Sequence, residues 1–136
     1  LRGVNEGGDL QWVVGYPVRS PEGELEGAFV TGWSLRKYAL YLEEHAQREL
    51  TAKQEDKTKA LPLLYVFVVK GAQAFGGPMT PDGNAEAIGE LDLPNKAKDG
   101  LFKTTLEIDG RRFVVAAKAA KALADDVFVA IMMSPV

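Results

Sequence analysis

Asp109-Gly110 divides two strand-like stretches, residues 101–108 and 111–120, and constrains the chain more than any other feature. A two-residue hairpin of type I′ needs positive φ at both central positions, which Asp and Gly tolerate, so the flanking stretches read as adjacent antiparallel strands. A second hairpin stands near the start. In residues 10–19, Trp12, Val14, Tyr16 and Val18 alternate with Gln11, Val13, Gly15 and Pro17; Ser20-Pro21-Glu22-Gly23-Glu24 then supplies a turn. Residues 25–33 return with Leu25, Gly27, Phe29, Thr31 and Trp33 on one side.

Between the hairpins the period changes. Ser34 precedes Leu35, Tyr38, Ala39, Leu42, Ala46 and Leu50 at helical spacing, with Arg36, Lys37, Glu43, Glu44, Gln47 and Arg48 on the wet side. Its hydroxyl is a natural N-cap. This helix fades within residues 51–59, and Pro62 forbids its continuation. Residues 63–69 are β-branched or aromatic on both faces and read as a central strand. Gly76-Gly77-Pro78 ends the next segment, residues 79–84 read as loop, 85–91 as a short helix and 92–100 as a polar connector. Residues 127–133 close as an apolar strand. The expected fold is α+β: an antiparallel sheet of five to six strands with one main amphipathic helix packed on it, in the order β-β-α-β-(α)-β-β.

Composition removes whole classes of function. A chain of 136 residues is one domain, here residues 10–136 after a glycine-rich lead-in over 1–9. Sixteen basic against nineteen acidic side chains, with no basic run, argue against a nucleic-acid partner. The absence of cysteine excludes disulfides, thiolate nucleophiles and Cys-ligated metals. The single histidine, His45, leaves no imidazole pair for a metal, and no Gly-rich phosphate loop occurs. Glu43 and Glu44 are adjacent, so they splay about 100° apart on a helix and form no acid–base pair. We expect no enzyme, no metal and no cofactor. The longest apolar run, residues 61–69, is too short to span a bilayer. The chain begins at Leu1, and we read it as a portion of a longer protein whose flanks carry any membrane segments.

Two sequence words resemble the Cache family of PAS-like sensor domains. One is the hairpin Gly15-Tyr16-Pro17-Val18-Arg19-Ser20-Pro21-Glu22-Gly23 running into Leu25-Glu26-Gly27-Ala28-Phe29-Val30. The other is Ile108-Asp109-Gly110-Arg111-Arg112-Phe113-Val114-Val115-Ala116-Ala117-Lys118 and the apolar strand after it. The resemblance implies an extracytoplasmic (periplasmic) sensor domain of a membrane-anchored chemoreceptor or sensor kinase. Such a domain binds a small organic molecule between its sheet and the overlying helix, with a carboxylate or amino acid as the expected ligand. A homodimer is compatible with it. The rival reading is a profilin-like or roadblock-type interaction and dimerisation module with no small-molecule ligand.

Six side chains are candidates for a ligand. Most rings belong to core packing, but Trp33, Tyr38, Tyr65 and Phe75 lie near strand ends, a helix start or a loop, where a cleft can open. Arg36 opposes the helix macrodipole, a cost that a bound anion offsets, and its planar fork suits a carboxylate; a solvated side chain is the alternative. Lys118 interrupts an apolar strand and either points inward or guards an edge.

Overall fold

Strand β3 (Leu63–Lys70) is the hub of the sheet in the computed structural model, which describes residues 9–135. Val66, Phe67, Val68 and Val69 are all buried, as a central strand covered on both faces requires. β3 pairs with β7 (Val127–Ser134) on one side and with β4 (Gln73–Gly76) on the other. β7 pairs with β6 (Arg111–Ala119), and β6 with β5 (Phe102–Ile108), giving an antiparallel sheet of order β4-β3-β7-β6-β5. The β5–β6 turn places Asp109 at φ 50° and Gly110 at φ 73°. Both signs are those that Asp-Gly predicts. The lead-in read over residues 1–9 falls, except for Asp9, outside the described residues.

Each face of the sheet carries its own helix. On one, Phe67, Phe113, Val115, Phe128 and Met132 form the larger core under α2 (Asp82–Gly89) and α3 (Leu93–Lys96), which contribute Ile88 and Leu93. On the other, α1 (Leu35–Lys53) lays Leu35 and Ala39 against Val68, Phe75 and Val127. The main helix therefore roofs the β3–β4 side of the sheet, while the bulk of the core lies beneath the two short helices. Gly89 fits this packing closely: a Cβ there would stand 2.6 Å from the carbonyl oxygen of Ala72.

The first hairpin departs from expectation. β1 (Gln11–Arg19) and β2 (Leu25–Ser34) pair only with each other and form a separate two-stranded sheet. They do not extend the main sheet, whose fifth member is β4. The four residues of β4 are too few to show a period, so the sequence offers only a segment end there. Alternation establishes that 10–19 and 25–33 are strands, but it carries no information on which sheet they join.

Candidate functional site

Where the hairpin meets the body of the protein, the chain builds a small cavity. Ser34 ends β2 and caps α1, accepting a hydrogen bond from the Lys37 N–H at 3.0 Å. Its hydroxyl donates to the carboxylate of Asp9, which also accepts from the Arg36 N–H at 3.3 Å. The anion expected at the start of this helix is thus the chain's own Asp9. A backbone bond from the Leu35 N–H to the Leu10 carbonyl, 2.9 Å, ties β1 to the same corner.

The partly enclosed space beside this corner measures about 160 Å³. Trp12 and Trp33, cross-strand partners with ring centroids 5.0 Å apart, form one wall. Tyr38 and Leu35 of α1 form the second, and Leu123 with Val127 the third. Leu123 reaches it because a turn, closed by the Leu123 N–H on the Ala120 carbonyl at 2.8 Å, folds it inward before β7. The lining is overwhelmingly apolar. An apolar void of roughly 150 Å³ holds a benzene-sized guest.

One cation stands at the rim. Lys70 closes β3 and bonds both oxygens of Asp126, at 2.8 and 2.6 Å. That hydrogen bond holds the Asp126 carboxyl below the usual carboxylate range. The pair is exposed, so it adds little to stability. It sets an ammonium beside an apolar hollow.

Of the six sequence candidates, the structure brings Trp33 and Tyr38 together at this cavity. Arg36 lies instead in an open groove beside β4 and α2, near Asp82, Glu86 and Glu90, with its Nε buried and without a hydrogen-bond partner. Tyr65 packs on the opposite face of the sheet, 6.4 Å from the Phe113 ring. Phe75 is sealed in the core beneath α1, and Lys118 is exposed on β6. Sequence reasoning missed Lys70, Trp12 and Leu123. Lys70 did carry a signal, as the only charge ending an otherwise apolar run.

Under α1, Glu43 accepts the Val66 N–H at 3.0 Å, just past the point where β4 stops pairing with β3. Burial pushes its carboxyl above the ordinary value, and the Val66 bond only partly offsets this. His45 is exposed on α1. Among the described residues, no group of three His, Asp or Glu side chains is placed to hold a metal ion, and no helix is long and apolar enough to cross a membrane. Comparison with protein-family models, curated proteins and solved structures gave no match.

Proposed function

We propose that the chain is a small-molecule-sensing domain of the Cache-like PAS type, a binding rather than a catalytic module. Its parent would be a membrane-anchored bacterial receptor, a chemoreceptor or sensor kinase, with this domain on the extracytoplasmic side. The ligand would be a small carboxylate with an apolar body, an amino acid with an apolar side chain included. The body would lie against Trp12, Trp33 and Tyr38, and the carboxylate would take the Lys70 ammonium in exchange for Asp126. The observation that carries this is the cavity itself, whose walls come from the hairpin root, the first turns of α1 and the turn before β7. A guest touching all three favours one relative arrangement of them, and a sensor transmits through such a bias.

Thermal melting against a panel of apolar carboxylic acids and amino acids tests this. A ligand at about 100 times its dissociation constant adds about 2.7 kcal/mol. For a chain of this length that raises the midpoint by about 9 °C. Trp33→Ala and Lys70→Met should each remove the response, while Arg36→Ala, outside the cavity, should keep it. A flat panel would count against sensing.

One observation favours a second reading, a profilin-like or roadblock-type interaction and dimerisation module. Tyr16, Leu25 and Phe29 of the hairpin are 74%, 64% and 67% exposed. Soluble surfaces rarely leave such residues contiguous without a partner.

A further inference from the structure

The hairpin is chemically two-sided. Register places Trp12 opposite Trp33, Val14 opposite Thr31, Tyr16 opposite Phe29 and Val18 opposite Gly27. From Trp12 to Val18 these residues make one face without a charge; beyond Val18 the register shifts and Leu25 pairs with Arg19, so a cation closes the face at the tip. The reverse face is built of smaller residues, among them Gly15, Ala28 and Gly32. An isolated two-stranded ribbon is marginal in water, and a sheet normally buries its apolar face against a second layer. Among the described residues α1 meets only the root of this face, at Trp12 and Trp33, and leaves Tyr16 and Phe29 open.

We propose that this face is the docking surface for a second copy of the chain, hairpin stacked on hairpin head to tail about a two-fold axis. The inference rests on the dimerisation reading above and names the surface and the partner. Self-complementarity supports it, since in an isologous contact the same patch serves both copies. Between Trp12 and Val18 that patch brings no charge against another.

The ends of the hairpin agree. Its tip carries Glu22, Glu24 and Glu26 against Arg19, while its root carries Lys37 near Asp9, the Arg36 side chain lying away in the groove beside α2. Head-to-tail stacking brings the acidic tip of each copy to Lys37 of the other. Size agrees as well. At roughly 200 Å² per ring, the open parts of Tyr16, Phe29 and Trp33 alone amount to about 370 Å². That is nearly half of the roughly 800 Å² per partner in a standard stable interface, with Leu25, Val14 and Val18 still to add.

Sedimentation equilibrium of the full chain from micromolar to millimolar concentration is the test. Wild type should be a concentration-dependent dimer. Phe29→Glu, at an exposed position, should stay folded by circular dichroism yet weaken the dimer at least about a hundredfold, because it would strand a carboxylate between apolar layers. Glu24→Lys and Lys37→Glu should each weaken it, and the two together should restore it. A wild-type monomer throughout would overturn the proposal and the dimerisation reading together. A dimer indifferent to Phe29→Glu, or a charge swap without rescue, would overturn the proposal alone and send dimerisation to another surface.

Discussion

Replacing Glu43 by alanine removes the acceptor of the Val66 N–H, a donor on a buried residue of the central strand. No strand can take its place, because β4 pairs with β3 only from Phe67 onward. A buried donor left without a partner costs about 1–3 kcal/mol, or about 3–10 °C of melting temperature for 136 residues. Glu43→Gln differs in kind: its amide oxygen still accepts from Val66 and has no charge to desolvate. Because burial raises the Glu43 carboxyl above its ordinary value, the folded state holds that proton more firmly than the unfolded state does. Stability contributed at this site is therefore present below the ordinary carboxylate range. It falls as pH rises through the window up to the raised value. Thermal or urea denaturation of the three proteins at about pH 4.5 and about pH 7.5 reads both effects. The alanine variant should be the least stable at either pH. The glutamine variant should gain on wild type as the pH rises. Equal destabilisation by Ala and Gln, or a wild-type-to-Gln difference that ignores pH, would refute the assignment of Glu43 as an edge cap of β3.

Two further perturbations probe the packing of the sheet. Phe67→Ala opens a cavity at the centre of the larger core, where the ring is wholly buried, and should cost about 3–5 kcal/mol in urea denaturation. The glycines of α2 should separate by sign: Gly83→Ala meets nothing within 4 Å and should gain up to about 1 kcal/mol of helix propensity. Gly89→Ala must instead push α2 off the Ala72 carbonyl and should lose about 1–3 kcal/mol despite the same propensity gain. Midpoints that move in one direction for both glycines would argue against that close contact.

What the sequence disclosed follows the range of each interaction. Turn chemistry is local, so Asp109-Gly110 announced its hairpin and the positive φ values followed. Capping is local too, and Ser34 stands at the N-cap of α1 as its position before the apolar period implied. A run apolar on both faces marks a strand covered on both faces, and β3 is one. Sheet membership is not local. Nothing in the alternation of residues 10–33 tells whether that ribbon joins the main sheet, and its two-sided exposure emerges only in three dimensions. α2 begins at Asp82, three residues before the apolar pattern reveals it, because Pro81 and Gly83 read as loop residues. The site was legible only in part for the same reason. Trp33 and Tyr38 flank one helix start and so stay neighbours, whereas Lys70 and Leu123 reach them through the pairing of β3 with β7.

The cavity and the proposed docking face share a wall. Trp33 lines the one, and its strand neighbours Phe29 and Leu25 make up the other. Trp33 also packs against Trp12 across the ribbon, the rings tilted by 39°, so a guest against either ring bears on the root of the hairpin. If a ligand binds the dimer more tightly than the monomer, linkage requires the dimer to form more readily with ligand, by the same factor. A coupling of about 1–3 kcal/mol is the usual scale for two such sites, a five- to 150-fold change in dimer dissociation constant. Trp12→Ala separates this coupling from binding itself. It removes the ring partner of Trp33 and part of the cavity wall, so ligand should bind more weakly and, even at saturation, should no longer shift the dimer equilibrium. Retention of the full shift in that variant would mean that the two sites communicate by another route, through α1 rather than through the paired rings.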